Sequence, residues 1–334
     1  MHKRTIRKQI LFALALWLTF VYVNNSSLWH TPAAADPVLL AHRGLGQDFQ
    51  RQGLTGDTCT AAQMLPSEHP FLEDTIPSIQ AAFAYGADIV EFDVHPTTDG
   101  HFAVFHDWTV ECRTDGVGVT REQTLAYLKT LDVGYGYTAD GGQSFPFRGQ
   151  GVGLIPSLAE VLATFPDEHF LINIKSGDPQ EGVLLTATLR QIPVPQQQRL
   201  MVYGAEPPIA VVREQLPTIR TMSRASLERC LLRYIALAWS GYLPDACRHT
   251  MLLIPTNVAP WLWGWPHRFT QRMNQLGTHF FLVDDYTGGG FSEGINTRQD
   301  LVQIPPVYAG GIWTDRIDII GPAFTKDTTN APAP

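Results

Sequence analysis

From residue 38 to residue 315 the chain alternates short apolar runs with longer segments whose apolar residues recur at helical spacing. The short runs predict strands at 38–41, in the two halves of 88–107, and at 170–174, 200–203, 219–222, 251–254, 280–283 and 311–313. Helices are predicted at 75–85, 120–131, 157–164, 181–191, 208–216, 227–239, 267–276 and 298–304. The first of these has clear ends: Thr75 is a candidate N-cap, Pro77 lies in the first turn and Gly86 stops it. Strand–helix alternation over this length indicates a parallel sheet. No glycine-rich dinucleotide fingerprint follows the first strand, so an open doubly wound sheet is not favoured. The expected class is α/β, a TIM (β/α)8 barrel with small insertions at the aperiodic Gly-rich stretches 46–70 and 132–153. The pattern yields nine strand candidates where such a barrel needs eight, and the surplus one is expected among the short strands after Leu200.

The N-terminus departs from this pattern. Lys3, Arg4, Arg7 and Lys8 precede an apolar run from Ile10 to Val23, then polar residues 24–27, then Ala33-Ala34-Ala35 before Asp36. The run is shorter than the ~20 residues of a typical spanning helix, and the small residues resemble a cleavage site. Residues 1–35 are therefore read as a secretory signal peptide, with an uncleaved N-terminal membrane anchor as the alternative. In either case the basic flank stays inside and the remainder is exported, to a periplasmic or other extracytoplasmic location. Residues 36–325 form the expected barrel and 326–334 a disordered tail.

Composition adds two constraints. A net charge of −8 without a basic face excludes nucleic acid as partner. Four cysteines without zinc-type spacing suggest disulfides in an exported chain. Of three connectivities, Cys59 with Cys112 and Cys230 with Cys247 is favoured: the second pair closes a short loop, and the first ties an insertion to the segment after His106.

The candidate chemistry lies at predicted strand ends, where parallel α/β folds bind ligands. Glu91 and Asp93, two apart, share one face of a strand. His42, Arg43, His106, Lys175 and Asp315 fall at other strand ends, with Glu73 at the start of the first helix. Carboxylates suit a hard divalent cation such as Ca2+ or Mg2+, two histidines an acid/base pair, and Arg plus Lys a phosphate. Together they describe metal-assisted phosphoryl transfer.

These residues resemble the glycerophosphodiester phosphodiesterases. The family pattern is matched by His42-Arg43-Gly44, Glu73-Asp74-Thr75, Gly86-Ala87-Asp88, Val90-Glu91-Phe92-Asp93-Val94, Thr98-Asp99-Gly100 and Val104-Phe105-His106-Asp107. Weaker echoes are Arg113-Thr114-Asp115-Gly116, Leu131-Asp132-Val133-Gly134, Ile155-Pro156-Ser157-Leu158 and Thr314-Asp315-Arg316. The likeness is close over 38–175, weak through the middle, and returns at the end. It implies a barrel with its site at the C-terminal strand ends, an insertion after the third strand matching 132–153, and a divalent cation. Carried over by position, His42 and His106 are the acid/base pair, Arg43 and Lys175 the phosphate contacts, and Glu91 and Asp93 metal ligands. Glu73 is either a ligand or a supporting group.

Two departures matter. Asn173 stands where the family has a third metal carboxylate, which keeps an oxygen but loses a charge. Asp284 or Asp285 is a candidate to compensate. The loop 45–72 is enlarged and expected over the barrel mouth. The resemblance implies hydrolysis of glycerophosphodiesters to glycerol 3-phosphate and an alcohol. Two rivals are a lysophospholipase D-type activity on lysophospholipids, which the Trp261-Leu262-Trp263-Gly264-Trp265 stretch would favour, and a catalytically silent phosphodiester-binding barrel, which Asn173 would favour.

Overall fold

The computed structural model describes residues 2–29, 36–54, 58–288 and 293–324. Ala33 to Ala35, the expected cleavage signal, and the expected tail at 326–334 lie outside the described residues.

Nine strands form one sheet: β1 Val38–Ala41, β2 Ile89–Pro96, β3 Phe102–Val104, β4 His169–Ile174, β5 Leu200–Gly204, β6 Arg220–Ser223, β7 Met251–Pro255, β8 His279–Val283 and β9 Gly311–Thr314. The parallel order is β6-β5-β4-β2-β1-β9-β8-β7. A single bridge between Thr221 and Thr250 joins the two ends. The result is a nearly closed barrel of eight parallel strands.

The surplus strand is not one of the short strands after Leu200, all of which belong to the barrel. It is β3, which pairs antiparallel with β2, Val94 opposite Val104. The turn explains this. Gly100, at φ 83°, reverses the chain within a few residues, whereas a parallel neighbour needs a crossover of a dozen or more.

The principal barrel helices are α2 Ile76–Ala84, α3 Leu158–Thr164, α4 Pro179–Leu189, α5 Glu206–Gln215, α6 Arg224–Leu237, α7 His267–Gln275 and α8 Ile317–Phe324. Capping fixes several starts. Thr75 with Ser78 and Ser157 with Glu160 form reciprocal capping boxes for α2 and α3. Two expected helices are not formed as read. Over 120–131 there is a 3-10 turn, Thr120–Glu122, then a separate turn, Leu125–Leu128, because the Thr124 side chain accepts from Tyr127 N and starts a new cap. Over 298–304 only the 3-10 turn Asp300–Gln303 forms, the Asp300 carboxylate being bound to the N–H groups of Asn296 and Thr297. The helix α8 was not legible in the periodicity.

Alternation along each strand divides the core. Leu40, Ile89, Leu171, Met201, Met222, Met251, Phe281 and Trp313 fill the barrel interior. Val90, Phe92, Phe170, Ile172, Val202, Leu252 and Ile254 point outward beneath the helices. Burying each such side chain contributes about 1.5–3 kcal/mol. With the interior filled, only the strand ends are free to hold polar groups. A third cluster, with Phe105, Leu131, Val133, Tyr137 and Phe147, packs the insertion against the 45–72 loop. Both favoured disulfides are present, Cys59–Cys112 and Cys230–Cys247.

An N-terminal helix, α1 His2–Asn25, extends well beyond the apolar run at both ends. At 1.5 Å per residue its 24 residues reach ~36 Å, so it is long and apolar enough to cross a membrane.

Candidate active site

The site begins where β1 ends. Arg43 and Gly44 both adopt left-handed backbone, at φ 56° and 73°. A Cβ on Gly44 would lie 2.7 Å from Ser78 Oγ, so only glycine fits. The strained Arg43, costing roughly 1 kcal/mol or more, directs its guanidinium to Glu73 Oε1 at 3.0 Å and Asp93 Oδ2 at 3.2 Å. Asp74, between Glu73 and the Thr75 cap, is also left-handed at φ 60°, a conformation that Asp and Asn tolerate best. Its N–H donates to Arg43 O, so the two strained turns brace each other.

On β2, Glu91 and Asp93 are buried on one face. Asn173 on β4 lies opposite Asp93, and Tyr203 on β5 opposite Asn173. This register turns three strands into a row of polar groups. The Asn173 amide donates to Asp93 Oδ1 at 2.7 Å and the Tyr203 hydroxyl to Glu91 Oε1 at 2.7 Å. Arg43 N donates to Glu91 Oε2. Lys175, at the end of β4, holds its Nζ 3.5 Å from Asp93 Oδ1.

The two histidines flank this row, and each is held by its own carboxylate. His42 Nδ1 lies 2.5 Å from Asp315 Oδ1, and His106 Nδ1 2.6 Å from Asp107 Oδ1. A carboxylate only accepts, so each Nδ1 carries a proton and each Nε2 is left for exchange. Behind His106, the buried Arg113 donates to Asp107, Tyr137 and Thr60 and sits 3.1 Å from Glu73. The insertion thus supports the carboxylate that orients His106.

The electrostatics separate otherwise similar groups. Burial and the neighbouring Asp93 push Glu91 up to about 7, while His42 and Arg43 pull the other way. Burial also works against the charge on Asp93, but Lys175 and Arg43 hold it well below the usual carboxylate range. Burial, then Asp93 and Glu73, raise Asp74 well above its ordinary value. Burial and Arg43 lower His106 to about 4. For His42 the same two influences are outweighed by Glu91 and Asp315, and its pKa lies above the ordinary one.

Whether these residues fit a divalent cation can be judged from the donors. Among the described residues no three His, Cys, Asp or Glu side chains form a ready cluster. Glu91, Asp93 and Asn173 do lie side by side across β2 and β4, with the Asn173 amide nitrogen turned to Asp93. Asp93 Oδ2 makes no hydrogen bond and is met only by the Arg43 ion pair at 3.2 Å, while burial and Asp93 push Glu91 up to about 7. The crowding of these two buried acids is what a bound hard cation would relieve, so the set fits one once the Asn173 amide turns its oxygen inward, with a charge fewer than three carboxylates provide. Of the two aspartates considered as compensation, Asp285 accepts from the Thr256 hydroxyl and Asp284 N donates to Glu293 O.

All the expected site residues lie at the C-terminal strand ends or the loops beside them, and His42, Arg43, Glu73, Glu91, Asp93, His106, Asn173, Lys175 and Asp315 are linked by contacts. The loop 45–72 covers part of the mouth, where Gln47, Asp48, Phe49 and Arg51 line one cleft with His42, Arg43, Glu73 and Asp315. The tryptophan stretch is not at this mouth. Trp263 donates to Ile235 O on α6, and Trp265 packs on Phe269, Phe280 and Tyr308. Tyr203 was not anticipated from the sequence. Its signal was a lone hydroxyl at the end of a predicted strand. Asp107, Arg113 and Asp74 had stood only as motif letters.

A parallel barrel carrying paired histidines, acids and phosphate-suited cations at its C-terminal end defines the class of molecule. Residues 42–198 match the model of the Glycerophosphoryl diester phosphodiesterase family. Those residues, just under half of the chain, carry the likeness to that family. It is 41% identical over 107 residues to a glycerophosphodiester phosphodiesterase of Caldanaerobacter subterraneus subsp. tengcongensis, covering 31% of this chain and 40% of the relative. It is 36% identical over 115 residues to the Bacillus subtilis glycerophosphodiester phosphodiesterase, covering 33% and 38%. The chain therefore spans about two fifths of the length of these curated relatives. Solved structures extend the likeness of fold. The glycerophosphoryl diester phosphodiesterase domain of a Mycobacterium tuberculosis protein aligns with TM-score 0.59 at 17% identity, over 85% of this chain and 97% of that one. An Oleispira antarctica phosphodiesterase, solved with the product sn-glycerol-3-phosphate, aligns with TM-score 0.54 at 19% identity, over 87% and 98%.

Proposed function

We propose that this chain is an exported phosphodiesterase that hydrolyses glycerophosphodiesters to glycerol 3-phosphate and an alcohol, with His42 and His106 as its acid/base pair. The observation that carries this reading is the matched anchoring of the two histidines, each locked through Nδ1 by a carboxylate, with His42 Nε2 3.7 Å from Glu91 Oε2, beside Arg43 and Lys175. The product found with the Oleispira antarctica phosphodiesterase supports the substrate class. Export is supported by the two disulfides and by the basic residues in the first turns of α1.

In this mechanism Arg43 and Lys175 bind the phosphodiester oxygens, and Asp93 keeps both cations at the strand ends. His106, neutral at working pH, takes a proton from the attacking hydroxyl, either water or a glycerol hydroxyl of the substrate. His42, whose pKa Glu91 and Asp315 raise, gives its proton to the leaving alcohol. Glu91, Asp93 and Asn173 would hold a divalent cation, Ca2+ or Mg2+, which supplies charge neutralisation at the phosphoryl oxygens. Glu73 acts as a supporting group, engaged by Arg43 and Arg113.

The test is release of glycerol 3-phosphate from glycerophosphocholine by the purified full chain, titrated with Ca2+ and Mg2+ after chelation. Metal-dependent turnover, lost in His42→Ala and His106→Ala, is expected. Absence of turnover with either metal, on this diester and on a lysophospholipid, would refute the reading. It would favour the second one, a barrel that binds phosphodiesters without cleaving them, for which Asn173 donating to Asp93 is the supporting observation.

A further inference from the structure

The N-terminal helix is usually the part of such a chain that carries least structure, yet here its last turn enters the barrel's own hydrogen bonding. Arg272 of α7 is 1% exposed. Its Nη1 donates to Asn25 Oδ1 at 2.9 Å and to Tyr234 Oη at 3.2 Å, and its Nη2 to Asn24 O at 3.2 Å. Asn24 and Asn25 both donate in turn to Trp239 O. The Ser27 hydroxyl donates to Gly264 O and accepts from His267 N. Two turns earlier in the helix, Trp17 meets Trp239 edge to face at 5.7 Å. A leader read in passing by a peptidase needs no such complementary surface. Cleavage before Asp36 would take Asn24, Asn25 and Ser27 away and leave a buried guanidinium without two of its acceptors.

Above this contact the helix is bare. Ile10, Leu11, Phe12, Leu14, Leu16 and Leu18 are exposed, and the helix over Arg4–Asn25, with its apolar run from Ile10 to Val23, is by length and composition sufficient for a bilayer. The barrel surface continues the apolar character around the same junction. Leu232, Ile235 and Leu237 of α6 are exposed, as are Tyr242 and, at 79%, Trp261. Trp261 is two residues from Trp263, which donates to Ile235 O, so α6 and the tryptophan stretch form one patch. Aromatic and aliphatic side chains beside the outer end of a spanning helix are suited to the headgroup boundary.

We infer that α1 is retained as a membrane anchor docked on the barrel through Arg272, and that the α6 and Trp261 patch lies in the lipid interface of the membrane it crosses. The occupant of the patch is the bilayer, because the patch is continuous with the docked end of the spanning helix. The inference rests on the export reading and is independent of catalysis, so none of its tests uses turnover.

The full chain with a C-terminal tag is to be expressed in a bacterial host, and its membranes washed with alkaline carbonate. Recovery in the washed membranes with the residues before Asp36 intact by mass is expected. A chain beginning at Asp36, or one released by carbonate, would overturn the anchor. For the docking, Asn25→Ala in the detergent-solubilised full chain is expected to lower the thermal midpoint by about 4 °C; an unchanged midpoint would overturn it. For the patch, the full chain is reconstituted in phosphatidylethanolamine and phosphatidylglycerol vesicles with brominated acyl chains. Quenching of tryptophan emission that falls in Trp261→Phe supports lipid contact. Equal quenching in both proteins, or self-association of the chain lost in Trp261→Phe, would overturn it.

Discussion

Glu91 is the residue whose replacement separates stability from function most sharply. In Glu91→Gln the side-chain shape is kept, and the hydrogen bonds can be kept too. The amide oxygen accepts from Arg43 N, and the amide N–H donates to the Tyr203 hydroxyl, which turns to accept. What disappears is the charge. For an acid whose folded-state pKa is raised, the charged form is the costly one. The cost is absent below the unfolded value, near 4.5, and complete once pH has risen through the folded value, about 7. The distance between those two values amounts to ~3 kcal/mol. In chelator at pH 8, Glu91→Gln is therefore expected to be the more stable protein by ~3 kcal/mol, roughly 6–12 °C in thermal midpoint. At pH 5 the difference should shrink to within ~1 kcal/mol. Adding Ca2+ at pH 8 is expected to raise the midpoint of the unsubstituted chain and leave that of the variant nearly unchanged, since the cation lacks its second carboxylate. The assay is thermal unfolding of the detergent-solubilised full chain at both pH values, with chelator or Ca2+. A variant less stable than the parent at pH 8 in chelator would refute the reasoning, because it would mean that Glu91 is paid back its charge by Arg43 and His42 alone.

Two further substitutions test the surroundings of this group. Asn173→Glu restores a third carboxylate opposite Asp93, and it is expected to lower the Ca2+ concentration needed for half-maximal thermal stabilisation by about tenfold or more while destabilising the chelated protein; titration by thermal unfolding reads both. Arg113→Met removes the cation shared by Asp107 and Glu73, and a loss of roughly 3 kcal/mol in urea unfolding is expected, because each of two buried carboxylates loses a charged partner while Glu73 keeps Arg43 and Asp107 keeps His106.

The parts of this molecule that were legible in its sequence are those fixed by local chemistry. The alternating apolar runs gave the parallel strands, and the Thr75 and Ser157 caps gave helix starts, since capping is decided by side chains within one turn. The motif residues of the site were legible because they sit at strand ends, which the apolar runs delimit. The surplus strand was misplaced because pairing direction depends on connection length: the few residues that join the two halves of 88–107 are too short for a parallel crossover. Helix 120–131 was overread because Thr124 caps a new turn within what looks like one period. Tyr203 was invisible for another reason. Its role exists only through the register that sets β5 beside β4 and β4 beside β2, and no local signal encodes that alignment.

The same distinction explains why the site's electrostatics could not be read from motif letters. Glu91 and Asp93 are chemically near-equivalent and two residues apart, yet one is held near neutrality and the other far below it. The difference comes from the charges around each: Lys175 and Arg43 act against burial at Asp93, whereas burial and Asp93 itself outweigh His42 and Arg43 at Glu91. A cation bound between them would draw its first full charge from Asp93 and would have to displace a proton from Glu91 near neutral pH. Metal binding should therefore release a proton and strengthen as pH rises through about 7. With an amide at position 173 there is no third carboxylate to mask that coupling, so the pH dependence of cation binding follows directly from the one substitution that separates this site from the pattern it otherwise resembles.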